Sequence, residues 1–168
     1  MALLKKRKPP SELPPIETTA GDFTIFDGEG YLDEIFENDM RISRPFSRFR
    51  LSDEEYEENY GKVIESLLST GKHKFFVAAD AYGRYLGHVW VCLKIDTVDF
   101  VPSAYIYDIE TLFPGMGIGT ALMERAEEWA KKRGARKISL RVDVSNPARK
   151  WYSEKGYSKR AIVMEKPL

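Results

Sequence analysis

Cysteine is nearly absent: Cys92 is the only one in 168 residues. No intramolecular disulfide can form, and a reducing, cytoplasmic setting is expected. No apolar run approaches the roughly 20 residues that span a bilayer, so no membrane partner is expected. Met1-Ala2-Leu3-Leu4 is too short for a signal-peptide core and precedes its positive charges instead of following them. An excess of one charge is also missing. Lys plus Arg and Asp plus Glu each number 26, a formal net charge of zero. Nothing therefore draws the chain as a whole to nucleic acid or anionic lipid, and nucleic acid is not an expected partner. The two histidines, His73 and His88, have no cluster of ligating residues around them. Both read as structural, and no metal is expected.

What is present is an ordinary globular composition, 43% apolar and 31% charged, and a length that bounds the chain to one domain. Residues 1–20 read as a flexible basic, proline-rich tail, because Lys5-Lys6-Arg7-Lys8 leads into Pro9, Pro10, Pro14 and Pro15 with almost nothing apolar to bury. The domain is expected over 21–168. A short strand over 23–26 precedes an amphipathic helix over about 30–42, with Leu32, Ile35, Phe36 and Met40 inward and Asp33, Glu34, Glu37 and Asp39 on the other face. A basic aromatic loop follows, Arg44 to Arg50. Ser52 and Glu55 form a capping box for a second helix that stops near Gly71. Strands are predicted over 74–80, 85–95 and 105–112, with Cys92 buried in the second. A helix over 117–133 has a stripe of Ile118, Leu122, Ala126 and Trp129. Then come a strand over 137–143, a short helix over 146–155 and a final strand within 157–166. Hairpins combined with one strand–helix–strand crossover give an α/β (α+β) domain around one mixed, mostly antiparallel sheet.

The most informative segment runs from Ile109 to Thr120. A strand ends, Gly115, Gly117 and Gly119 follow at alternating positions, and a long helix begins at once. Free N–H groups and the positive end of the helix dipole then converge on one spot suited to a phosphate or pyrophosphate. A dinucleotide site would want an acid about 20 residues on for the ribose. That window holds Lys137-Ile138-Ser139-Leu140, with no acid until Asp143. A purely structural tight turn is the other alternative.

Downstream, Asn146-Pro147-Ala148-Arg149-Lys150-Trp151-Tyr152 is followed by Gly156-Tyr157. With the glycine loop, this order resembles the GNAT acetyltransferase superfamily over roughly residues 22–166. The resemblance implies that acetyl-CoA lies in a splay between a parallel strand pair, here 105–112 and 137–143. It implies cofactor contacts from Thr111, Leu112, Gly115, Met116, Gly117, Ile118, Gly119, Thr120, Asn146 and Tyr152. It makes Tyr152 the acid for the departing thiolate, the Thr111 backbone the partner of the thioester carbonyl, and Asp108 or Glu110 a base acting through water. Those two carboxylates share one strand face at period two; His73 and His88 are the alternatives for the base. The sequence departs from the family pattern at three places: Pro114 stands where Arg or Gln is expected, the loop after Thr111 is about two residues short, and Asn146 lies two residues before Ala148 where three is usual. These departures favour the alternative of a catalytically degenerate, CoA-binding or partner-binding module.

The expected reaction moves an acetyl group to a primary amine. A lysine-like amine at pH 7.5 costs about 4 kcal/mol to deprotonate, which a base or a desolvating site must recover. The acceptor stays open between a polyamine, an amino-acid-like molecule and a peptide. Arg44, Arg48 and Arg50 suit an anionic group, whereas Asp33-Glu34-Glu37 and Glu54-Glu55-Glu57-Glu58 suit a polyamine or lysine-rich peptide. Among macromolecular partners, a homodimer is allowed.

Overall fold

The computed structural model describes residues 22–168; the expected tail over 1–20 lies outside the described residues. Five strands form one sheet in chain order: β1 (Thr24–Asp27), β2 (Lys72–Ala79), β3 (Tyr85–Ile95), β4 (Pro102–Thr111) and β5 (Lys137–Leu140). The first four pair antiparallel and β4–β5 pairs parallel. The helices are α1 (Leu32–Ser43), α2 (Asp53–Leu68), α3 (Ile118–Lys132) and α4 (Ala148–Glu154). A mixed, mostly antiparallel sheet flanked by helices is the expected α/β class.

Alternation sorts the two cores. From β2 and β3, Phe76, Ala78, Val89 and Val91 join the α3 residues Leu122, Met123 and Ala126 on one face. Phe75, Val77, Ala79 and Trp90 join Ile35 and Ile64 on the other. Burial on both faces is why these strands read as near-continuous apolar runs. The expected stripe on α3 is buried, with Met123 and Ala130 added. At the start of α2 the capping box is made: Glu55 N–H donates to Ser52 Oγ at 3.2 Å and Ser52 N–H to Glu55 Oε2 at 2.8 Å.

Two expectations are corrected at the carboxyl end. β5 stops at Leu140, three residues before Asp143, and the final strand within 157–166 does not form. Its apolar residues are consecutive, Ile162-Val163-Met164, so no alternation gives them a buried face. With β5 only four residues long, little ladder is offered to them. All three are exposed. The segment is instead tied by charge, Glu165 meeting Arg141 at 2.9 Å and Arg48 at 3.1 Å. The parallel pair therefore lies at one edge of the described sheet.

β4 carries the irregularity that matters. Trp90 pairs with Asp108 but Val91 pairs with Ile106, so Tyr107 is an extra residue, a β-bulge. The side-chain parity slips there. Ala104 and Ile106 face α3, and the next residue to do so is Ile109, not Tyr107 or Asp108. On the opposite face Tyr107 packs into the core beneath α1 and α2, and Asp108 follows it directly.

Candidate functional site

β4 and β5 share four rungs, the last being Ile106 with Leu140. β4 then runs on to Thr111 while the other chain leaves the sheet, so the two part. A pocket of 280 Å³ opens in the gap. Its walls include Asp108, Glu110 and Thr111 from β4, Arg141 and Asn146 from the segment after β5, Phe46 from the α1–α2 loop, and Tyr152 from α4. Five residues singled out from the sequence as site residues, spread over 45 positions, thus meet at one cavity. Gly87 sets how closely β3 and β4 approach beside it, because a Cβ there would lie 2.4 Å from the Glu110 carbonyl oxygen.

The remaining site residues, from Leu112 to Thr120, form the turn above β4 and the first turn of α3. Gly115 and Gly117 have φ of 83° and 80°, a left-handed backbone that other residues adopt at a cost. A Cβ at either would meet nothing within 4 Å, so open space lies beside both. Gly117 occupies the N-cap of α3 and supplies no side-chain cap, which leaves the first-turn N–H groups to an outside acceptor. Ile118 is buried in the core, so only its backbone is available to a ligand, and Met116 packs half-buried against the same core. Leu112 is withdrawn in part, since its N–H donates to the Leu86 carbonyl at 2.9 Å. Asn146 has a structural task as well, accepting the Ala148 N–H at 2.9 Å at the start of α4.

Behind the pocket sits a polar network that the sequence did not reveal. Arg41 Nη2 donates to Asn38 Oδ1 at 2.5 Å, and Asn38 Nδ2 donates to Glu110 Oε2 and, at 3.2 Å, to Tyr85 Oη. Tyr85 Oη lies 2.6 Å from His88 Nδ1, and His88 Nε2 lies 2.6 Å from Asp108 Oδ2. Asp39 accepts from Tyr60 Oη at 2.6 Å and from Ser43 Oγ at 2.8 Å. The acidic face expected for α1 is therefore not all solvated: Asp39 turns inward. His88, expected to be structural, touches Asp108 directly. In the sequence the only signal was period two, which puts His88 and Trp90 on one face of β3; the facing strand's bulge could not be read. His73 is structural, donating from Nε2 to the Thr70 carbonyl at 2.6 Å and accepting from Trp90 Nε1 at 3.0 Å.

The electrostatics follow from crowding. Burial, then the charges of Asp108 and Asp39, push the Glu110 carboxyl up to about 9. Burial and then Asp108 also raise Asp39. Tyr152 is pushed up to about 12, again by burial first and by the Asp108 charge second, so its hydroxyl keeps its proton at any working pH. His88, Asp108 and Glu110 offer ligand atoms within 4.8 Å of one another. Two ligands on a tetrahedral ion with bonds near 2.0–2.1 Å stand roughly 3.3 Å apart. The 2.6 Å His88–Asp108 contact would have to open before an ion could enter.

Comparison with known proteins gives one consistent result. The sequence profile described as the acetyltransferase (GNAT) family matches residues 32–157. An uncharacterized N-acetyltransferase of Methanocaldococcus jannaschii is 32% identical over 136 residues, 79% of this chain and 58% of that protein. The chain thus spans under two thirds of that relative. An uncharacterized N-acetyltransferase of Bacillus subtilis is 26% identical, over 68% of this chain and 74% of its own. A Pyrococcus furiosus structure, described as a candidate acetyl transferase, superposes with a TM-score of 0.84 at 57% identity, covering 87% of this chain and 99% of that one. A glucosamine-6-phosphate N-acetyltransferase from Arabidopsis thaliana has a TM-score of 0.57 at 18% identity, covering 86% and 97%, a likeness of fold alone.

The Glu110 environment has a consequence for stability. An unfolded glutamate releases its proton near pH 4.5 and the folded one near 9. Between those values the folded state binds more protons, so stability falls as pH rises through the window. Glu110→Gln removes this contribution. Its thermal midpoint, measured from pH 5 to pH 9, is expected to gain steadily on the parent's as pH rises; parallel curves would show that Glu110 ionises normally.

Proposed function

Because the chain belongs to the GNAT acetyltransferase family, we propose that it transfers the acetyl group of acetyl-CoA to a primary amine, of a small polyamine or amino-acid-like molecule or of a peptide. The observation that carries this reading is the meeting of a carboxylate, Asp108, with the Tyr152 hydroxyl across one pocket. An amine acceptor needs both a proton acceptor and a proton donor. The open space beside Gly115 and Gly117 and the uncapped start of α3 fit a pyrophosphate, which the N–H groups of the first turn would hold. Bound there, acetyl-CoA would supply an activated acyl group as its thioester.

The chain's own residues divide the remaining work. Glu110, protonated up to about pH 9, cannot accept a second proton at neutral pH. That leaves Asp108 as the proton acceptor for the incoming ammonium, directly or through a water. Tyr152, held in its protonated form, is the hydrogen donor toward the leaving sulfur. Asp108 on the pocket wall favours a cationic acceptor over an anionic one; Glu110, protonated at neutral pH, adds no charge. Of the loop arginines that suggested an anionic group, Arg44 is paired with Asp53 and Arg48 with Glu165.

A second reading, a CoA-binding or partner-binding member without catalysis, is favoured by Pro114, which has no N–H to donate, and by the Leu112 N–H already spent on Leu86. Calorimetry with acetyl-CoA and a free-thiol assay over a panel of polyamines, amino acids and lysine peptides separate the two. Binding with thiol release on at least one amine is expected; binding without release on any amine leaves the second reading.

Two sets of variants test the assignments. Asn and Asp both tolerate a left-handed backbone better than other side chains and differ by one charge. Gly117→Asp is expected to weaken coenzyme A binding by roughly tenfold or more relative to Gly117→Asn, about 1.4 kcal/mol. Equal affinities would move the pyrophosphate elsewhere. Tyr152→Phe keeps the ring, and its turnover number is expected to fall by roughly 10²–10⁴ with little change in the Michaelis constant for acetyl-CoA. Unchanged turnover with chemistry rate-limiting would remove Tyr152 from the mechanism.

A further inference from the structure

His88 is a fully buried imidazole on the central strand β3, at 0% exposure. Nothing in the reaction as described uses it. Both its nitrogens are nevertheless engaged, and the direction of each contact can be worked out. Arg41 has only donors, so Asn38 Oδ1 is the acceptor in their bond and Asn38 Nδ2 must donate onward. Tyr85 Oη receives that donor at 3.2 Å, and its own hydrogen then goes to its remaining partner, His88 Nδ1, at 2.6 Å. With Nδ1 accepting, the imidazole proton sits on Nε2, which lies 2.6 Å from Asp108 Oδ2. That contact is too bent to count as a hydrogen bond as it stands, and neither atom has any hydrogen-bond partner among the described residues. Two desolvated polar atoms so placed share this proton or leave both orphaned, the costlier outcome. One run of donors, Arg41–Asn38–Tyr85–His88, therefore leads toward Asp108, with a second Asn38 donor going to Glu110.

We propose that His88 is a positioning residue for Asp108: its Nε2–H, set by the Tyr85 hydroxyl, holds Asp108 Oδ2 and leaves Oδ1 to take the proton from the acceptor's ammonium. In that step an N–H bond of the ammonium breaks, an O–H bond forms on Asp108, and the His88 proton stays on His88. The inference rests on the acetyltransferase reading above. It explains why a polar imidazole is kept in an apolar interior. Glu110 is the less available of the two carboxyls, since burial and the charges of Asp108 and Asp39 keep it protonated. The titratable and charged groups around the pair are Glu110 on β4, Asp39 and Arg41 on α1, Tyr60 on α2, Tyr85 on β3 and Tyr152 on α4.

The test compares His88→Gln with His88→Asn. The Gln amide nitrogen reaches the place of Nε2 and the Asn amide nitrogen only that of Nδ1, while both are neutral and polar. A hydrogen bond to a charged group is worth roughly one to two powers of ten. In the full-length protein, kcat/KM for the best amine is expected to fall by about that factor in His88→Asn, with its acid limb moved about one pH unit upward. In His88→Gln both should stay near the parent's, and acetyl-CoA affinity should hold in both. The Asp108 carboxyl titration, followed by 13C NMR and assigned with Asp108→Asn, should move upward by the same amount in His88→Asn; this readout needs no activity. If neither histidine variant folds, Tyr85→Phe, which keeps the ring and deletes the donor that fixes the tautomer, should show a smaller shift in the same direction. An unmoved Asp108 titration in the folded variants, or equal behaviour of Gln and Asn, overturns the proposal. A shifted titration in a protein that acetylates no amine would leave the His88–Asp108 coupling standing and fail the catalytic reading alone.

Discussion

The structure depends on the point where β4 and β5 stop pairing. Four parallel rungs hold the strands together, and beyond Ile106 and Leu140 their backbone groups must find other partners. A parted pair inside a packed core would be costly, because unpaired N–H and C=O groups are expensive to bury. Here the separation occurs at the end of the sheet where the glycine turn, α4 and the α1–α2 loop converge. The polar backbone it frees lines a cavity. The pocket and the approach to the first turn of α3 both follow from that one divergence.

The bulge at Tyr107 completes the arrangement. Without the extra residue, strict alternation would carry the parity of Ala104 and Ile106 on to Asp108 and Glu110, placing both carboxylates against the α3 core. The slip sends Ile109 there instead and brings the acids to the side where Asn38, Tyr85 and His88 wait. Crowding three carboxylates and a histidine into a half-buried space opposes folding, and the raised Asp39 and Glu110 carboxyls are the expression of that cost. The two-sided core of β2 and β3, closed by α3 on one face and α1 with α2 on the other, supplies the stability that offsets it. Strain and stability are thus divided between the edge of the sheet and its middle.

Much of this was legible in the sequence, for physical reasons. Amphipathic periodicity located α3 to within one residue at each end, and the Ser52–Glu55 capping box located the start of α2. The glycine spacing before α3 was read as a phosphate site at the start of the helix, and Gly115 and Gly117 there have positive φ and open space beside them. Asp108, Glu110, Thr111, Asn146 and Tyr152 were singled out from strand position and motif, and they do surround one pocket. What was missed depends on tertiary register. The bulge is a property of two strands and leaves no mark in one. The engagement of Asn38, Arg41 and Tyr85 requires α1 to lie against β3, which helical periodicity alone does not state. The absence of a final strand follows from the shortness of β5, which nothing in the apolar run Ile162-Val163-Met164 reports.

The central claim, that the gap between β4 and β5 receives the acyl donor while the bulged face of β4 handles the proton, is tested most directly by a crystal structure of the full chain grown with coenzyme A. The account predicts the pyrophosphate on the N–H groups from Gly117 to Gly119 and the thiol within hydrogen-bond reach of Tyr152 Oη, with Asp108 and His88 still in contact behind the pocket. Coenzyme A seated away from the α3 amino end, or a thiol directed away from the pocket that Asp108 lines, would contradict it.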